Sequence, residues 1–289
     1  MQIRLIRIAI ILLIPIVLFS AYYTWGYSRD VVPEPLMQAS AITSVQEFVD
    51  TTDPNDLVPD LVPLPARDLK VQKDDEGKIL LYFSTTYYNQ GRGPIELRVD
   101  DPETDVHRDV NRTVTQRIHQ KDGGYRDDPV GTFEWHQEHL HYHFKAFVEF
   151  DLQAVDAPNH EDLAGSRIKS TFCLRDVSRV DLDLPNREEE AQFDSCSKKL
   201  QGVSVGWGDT YYWDYPAQNI DVSSLNSGVY RFVTRANPEV RLEEINYENN
   251  ISSVVFKLDM ENLTVEVLEE TPRITPEVEH LHLEDPFGM

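Results

Sequence analysis

From Leu140 to Leu152 every even-numbered position is apolar: Leu140, Tyr142, Phe144, Ala146, Val148, Phe150 and Leu152. A period of two belongs to a β-strand, where successive side chains point to opposite faces of a sheet. The same alternation sets His139, His141 and His143 together on the other face, with neighbouring Cα positions about 7 Å apart at about 3.3 Å rise per residue. One face of this strand is expected to pack against a core, and the other to present a row of imidazoles. A single solvated histidine needs no explanation, but three opposite an unbroken apolar face point to a metal. Imidazole suits Zn, Cu, Fe or Ni, and spacing does not choose among them. Such a site needs no carboxylate or thiolate and leaves a position open for water or substrate. His136 is out of phase with the three and is expected beyond the strand's start, as a supporting group or proton relay. His107, His119, His160, His280 and His282 read as ordinary surface residues.

The rest of the chain suits a β-rich frame. Residues 79–88 are rich in β-branched and aromatic side chains and read as a strand. Asn89-Gln90-Gly91-Arg92-Gly93-Pro94 is a turn signal, after which strand character resumes at 95–99. Further strands are expected at 170–174, 228–235 and 251–257, with polar residues and a Gly123-Gly124 loop across 100–130. Short helices are expected only near 44–49 and 187–193. Short strands and frequent turns make this an all-β chain, a β-sandwich with long loops.

The amino-terminal segment differs from the rest. Arg4 and Arg7 precede an apolar run at 8–19, which continues weakly to Tyr22, Tyr23, Trp25 and Tyr27. Residues 1–28 read as a transmembrane anchor with an interfacial aromatic belt, or as a secretory signal with Ser20-Ala21 nearest to a cleavage site. Arginines on the amino-terminal side place the bulk of the chain outside the cytoplasm, tethered by a single helix or secreted. Residues 29–59 read as a loose stalk, 60–260 as the folded domain and 261–289 as a tail, loose after Leu268. The formal net charge of −23 excludes a nucleic-acid partner, which needs a basic footprint, and favours a cationic one. Two cysteines cannot make a disulfide-dense scaffold. Asn111, Asn250 and Asn262 head glycosylation sequons.

The segment Trp135-His136-x-x-His139-x-His141-x-His143 resembles the copper-binding segment of the lysyl oxidases. Residues 169–176, Lys-Ser-Thr-Phe-Cys-Leu-Arg-Asp, resemble that family's stretch around its cofactor lysine. Residues 201–211, ending Trp207-Gly208-Asp209-Thr210-Tyr211, resemble the stretch around its cofactor tyrosine. Residues 80–91 upstream, and Asn237-Pro238 and Tyr247-Glu248-Asn249-Asn250 downstream, follow in the family's order, so the similarity covers about 60–258. The resemblance implies a copper-dependent amine oxidase with His139, His141 and His143 as copper ligands. It implies that Lys169 and Tyr211 join as lysine tyrosylquinone, which makes them the catalytic and cofactor residues. Tyr212 and Tyr215 are the rival tyrosines, and Tyr211 is preferred for the Asp209-Thr210 before it. A quinone carbonyl is an electrophile that no side chain offers, so a built-in cofactor supplies the hard step. The implied reaction takes a cationic amine or a lysine-containing protein, with dioxygen, to an aldehyde, ammonia and hydrogen peroxide.

The chain also departs from that pattern. Glu138 and Trp207 stand where the animal enzymes carry cysteines, which suggests a microbial member. Cys173 and Cys196 match two family cysteines that are not bonded to each other there. One new bridge, two free thiols, or contacts to other groups are the alternatives, and export favours the bridge. Two other functional readings stand beside the enzyme. One is a non-enzymatic extracellular copper-binding β-sandwich, with Lys169 and Tyr211 never joined. The other is an adhesion module with a structural zinc.

Overall fold

The structure is a computed structural model and describes residues 53–99, 112–136, 141–155, 168–216, 218–273 and 275–280. The expected anchor at 1–28 and the short helix at 44–49 lie outside these residues, as does His139. Among the described residues no helix is long and apolar enough to cross a membrane.

All regular structure among the described residues is strand. In chain order the strands are β1 (Asp56–Leu57), β2 (Leu61–Pro63), β3 (Arg67–Lys73), β4 (Ile79–Asn89), β5 (Ile95–Arg98) and β6 (Arg112–Gln120). There follow β7 (Tyr125–His136), β8 (His141–Ala154), β9 (Ile168–Phe172), β10 (Ser178–Val180), β11 (Leu200–Val203) and β12 (Trp207–Tyr211). The last five are β13 (Asn219–Asp221), β14 (Gly228–Ala236), β15 (Ile251–Asp259), β16 (Thr264–Thr271) and β17 (Val278–His280). A ten-stranded antiparallel sheet runs β11-β5-β6-β7-β8-β14-β15-β16, with β1 beside β6 and β9 beside β8. A seven-stranded antiparallel sheet runs β13-β4-β12-β10-β17, with β2 and β3 beside β4.

Aromatic side chains join the two sheets. Phe83 of β4 lies 5.2 Å from Phe150 of β8 and 4.6 Å from Phe232 of β14, ring centroid to ring centroid. Tyr87, on the same face of β4, lies 5.5 Å from Phe147 and 5.6 Å from Phe172. Antiparallel register pairs Asp209 with Tyr87 and Tyr211 with Thr85. Directly paired residues share a face, so Asp209 and Tyr211 look toward the ten-stranded sheet. The other face of the smaller sheet has its own apolar cluster of Val62, Leu64, Tyr88 and Val180, with Val278 packed against it.

The strands expected at 79–88, 95–99, 170–174, 228–235 and 251–257 all form, within a few residues of their expected ends. The expectation at 187–193 is corrected: no helix forms there, because its backbone is engaged elsewhere. Glu188 N–H donates to Val205, the Trp207 indole donates to Glu188 C=O, and Gln192 and Phe193 N–H donate to the Asp176 carboxylate. The polar region 100–130 contains most of a hairpin, β6 and β7, turning at Gly123 with φ 87. Its buried positions on β6 are Arg112, Val114, Gln116 and Ile118, and the two polar ones hide the alternation. Gln116 is satisfied in the interior by the backbone of Glu243, in both directions. The stretch after Leu268, expected to be loose, stays paired in β16 to Thr271 and re-enters the smaller sheet as β17 beside β10.

The alternation in β8 is broken at Ala146, whose φ of 54 is left-handed, and the pairing of β8 with β9 shifts register between Phe144 and Val148. The even-numbered face therefore does not continue unbroken. Phe147, an odd position, is fully buried against Tyr87 and Phe172.

Glu244 ties β2 to the late loop before β15. Its buried carboxylate accepts from Leu61 N–H at 2.7 Å, from Asn237 Nδ2 at 2.6 Å and from Asn250 Nδ2 at 2.9 Å. The Asn250 sequon is thereby withdrawn from glycosylation in the folded chain, since that amide is buried and bonded. Burial raises Glu244 from 4.5 to about 7. The neutral form is thus favoured on folding, so this group's contribution is full below about pH 4.5 and is lost as pH rises through about 7. Unfolding measured across that window should show Glu244→Gln losing less stability with rising pH than the parent. At acid pH the variant should be weaker by about 1–3 kcal/mol, because an amide cannot accept from all three donors.

Candidate metal and quinone site

The end of β7 and the start of β8 run antiparallel, so His136 pairs with His141, Trp135 with Tyr142 and Glu134 with His143. His136 lies beyond the start of β8, as expected, and the register adds that it ends the neighbouring strand, its ring stacked on His143 at 4.6 Å and 14°. Sequence phase alone could not find it, because a hairpin partner obeys the register of the pair rather than the parity of one strand.

His141 and His143 share a face of β8, as their spacing predicts, yet that face is interior: they are 7% and 1% exposed. Their Nε2 atoms lie 2.8 Å apart. Nitrogens this close are within the span of one borderline divalent metal, whose bonds to imidazole are near 2.0–2.1 Å. The donors fit copper or zinc. The Nδ1 of His143 meets Thr171 Oγ1 of β9 at 3.1 Å. That contact fixes the ring's orientation and helps set which nitrogen carries the proton. His119, by contrast, is half-exposed and pairs with Glu96 at 2.7 Å, as a surface residue would.

The segment leaving β9 is the junction of the site. Cys173 is bonded to Cys196, which settles the open choice among the cysteines in favour of one bridge. The two sulfurs and a ring nitrogen of His141 all lie within 4.8 Å of one another. Because the sulfurs are bonded to each other, they add no thiolate to the histidines. The same Cys173 holds Tyr211: its N–H donates to the phenol oxygen at 2.9 Å, and the phenol donates to its C=O at 3.1 Å. The Tyr211 ring also lies 4.0 Å from Phe172, centroid to centroid. Tyr211 is therefore locked at both its oxygen and its ring face. Tyr215 packs edge-on against Tyr211 at 6.1 Å and against Tyr212 at 5.5 Å, farther out on the same loop. Lys169 lies in β9, its backbone opposite Glu149 of β8, four residues before Cys173.

The electrostatics around β12 are uneven. Burial, then the Asp209 charge, push the Tyr211 phenol well above its usual range. Asp209 is itself pushed well up by burial, with Arg175 opposing and Asp176 adding to the shift. Asp176, three residues after Cys173, accepts from Ser204 N–H and Oγ and from the N–H groups of Gln192 and Phe193. It pins the long loop to β11's exit and so fixes the approach to β12.

A family model described as lysyl oxidase matches residues 97–267, more than half of the chain. The chicken protein named protein-lysine 6-oxidase is 34% identical over 151 residues, which are 50% of this chain and 34% of that protein. The pig protein of the same name is 33% identical over 151 residues, 50% of this chain and 57% of that one. Human lysyl oxidase homolog 1 is 34% identical over 124 residues, 43% of this chain and 20% of its own length. The chain thus spans about a third of the chicken relative and somewhat over half of the pig one.

Replacing Thr171 by Val should lower copper affinity about 10- to 100-fold by freeing the His143 ring, read in a metal titration with the fold intact. Removing the bridge as Cys173→Ala with Cys196→Ala should cost about 3 kcal/mol of unfolding free energy in denaturant, given a sequence separation of 23.

Proposed function

The chain belongs to the lysyl oxidase family, and on that premise we propose that it is an exported, copper-dependent amine oxidase. It converts primary amines, those of peptidyl lysine or of small free molecules, to aldehydes with release of ammonia and hydrogen peroxide. His139, His141 and His143 hold the copper in this reading, and Lys169 and Tyr211 become the quinone cofactor. The bound copper and dioxygen supply the oxidation of a phenol ring to a quinone, whose carbonyl is the electrophile toward the amine. The residues of the chain do the rest. Thr171 orients His143, and His136 stacks on its ring and limits its movement. The Cys173 backbone holds the Tyr211 oxygen, so that one edge of the ring stays fixed. The net charge of −23 draws substrate ammonium groups toward the surface. Residues 1–28 act as a membrane anchor, or as a signal removed on secretion.

The observation that carries this reading is the convergence at Cys173. One short segment brings its bridge within 4.8 Å of a ring nitrogen of His141 and holds the Tyr211 phenol through its backbone. The tyrosine and the imidazole pair are thus both tied to one residue, which is what a shared copper and quinone centre needs. After copper loading in air, the parent should stain for quinone, form a coloured hydrazine adduct and release peroxide with amines. It should also yield a Lys169–Tyr211 crosslinked peptide on proteolysis. Tyr211→Phe should bind copper equally and lose all four signals; retention of amine oxidation by that variant would overturn the proposal.

A further inference from the structure

The buried carboxylates in this protein are not treated alike. Asp176 takes four hydrogen bonds, and Glu244 takes three. Asp209 is 1% exposed, and neither of its oxygens has a hydrogen-bond partner. Leaving a buried charged acceptor unmade costs about 1–3 kcal/mol or more, so the fold gains nothing from this carboxyl that an apolar residue would not give. Asp209 stands two residues before Tyr211 on β12, on the same face of the strand. That face looks into the space between the sheets, where Tyr87 is its cross-strand partner. Thr210, on the opposite face, is bonded to Thr86 and Ser178 at 2.9 Å each, so the strand itself is held without help from Asp209.

We propose that Asp209 is the base that removes the proton from the carbon next to the amine nitrogen, an inference that rests on the amine-oxidase reading above. The C–H bond breaks, its proton goes to an Asp209 oxygen, and its electron pair goes to the quinone, which is reduced. The carbon becomes doubly bonded to nitrogen, and water splits that bond to give the aldehyde, leaving the nitrogen on the reduced cofactor. Dioxygen takes the two electrons as hydrogen peroxide, and a second water releases the nitrogen as ammonia. The surroundings suit the task. The groups acting on Asp209 are Arg175, which favours its charged form, and Asp176, which opposes it. Its own charge acts on the phenols of Tyr87, Tyr211 and Tyr215. No hydrogen bond competes for its lone pairs, and burial makes the carboxylate a stronger base than one in water. Tyr211 keeps some exposure in the folded chain, and Asp209 is buried two residues away on the same face of β12.

The test uses Asp209→Asn in the full, copper-loaded chain. The variant should unfold at the same temperature as the parent or higher, bind the same copper, and form the hydrazine adduct in the same amount. Its kcat should fall about 100- to 10,000-fold. The rise of kcat with pH should disappear, and the isotope effect with substrate deuterated at the reacting carbon should increase. Asp209→Ala should recover part of its rate with added formate. A kcat for Asp209→Asn within threefold of the parent, or loss of the hydrazine adduct in that variant, would overturn the proposal. If the parent itself forms no adduct, the amine-oxidase reading falls first; an adduct in the parent with full rate in Asp209→Asn removes Asp209 alone.

Discussion

The site depends on where Cys173 is held. Its N–H and C=O are both engaged by one phenol, and its sulfur is bonded to Cys196 within reach of His141. Because β9 is anchored to β8 through the Phe144–Phe172 and Val148–Ser170 pairs, this segment cannot move without moving the strand that carries the imidazoles. The phenol and the imidazoles come from different sheets, and the Cys173 segment ties them together. This chain assigns that task to one bridge and two backbone hydrogen bonds.

The polar interior divides into groups that build and a group that does not. Asp176, Glu244 and Asn89 each bond to a segment distant in sequence, and Asn237 closes its own loop through Arg241, Leu242 and Glu244. Asn89, for example, accepts from Asp60 N–H and donates to Gly93 and Val203. These residues hold the long connections against the sheets. Asp209 stands among them with comparable burial and no such bonds, which is why chemistry rather than architecture accounts for it.

Much of the frame is legible along the chain, because local alternation and turn residues mark strands wherever one face is apolar. The strands at 79–89, 228–236 and 251–259 are of that kind. The hairpin at 112–136 is not, since Arg112 and Gln116 occupy interior positions, where Gln116 meets the backbone of Glu243 and Arg112 lies over the ring of Tyr142, both distant in sequence. The segment 187–193 misleads in the opposite sense: its composition suits a helix, but its backbone groups find partners in Asp176, Val205 and Trp207. Within the site, the His141–His143 pair follows from a period of two, and Tyr211 from its motif.

By itself, the sequence determined that the chain is β-rich, that His141 and His143 share one face, and that Lys169 and Tyr211 stand in segments like those of the lysyl oxidases. The first two follow from residue type and local spacing, and the third from resemblance to the family's motifs. Only the tertiary structure decided that the histidine face is buried, that His136 joins it from the neighbouring strand, and that Cys173 pairs with Cys196. It likewise decided that Asp209 faces the intersheet space without partners. Burial, register and long-range hydrogen bonding are properties of two segments at once, and no pattern within either segment contains them.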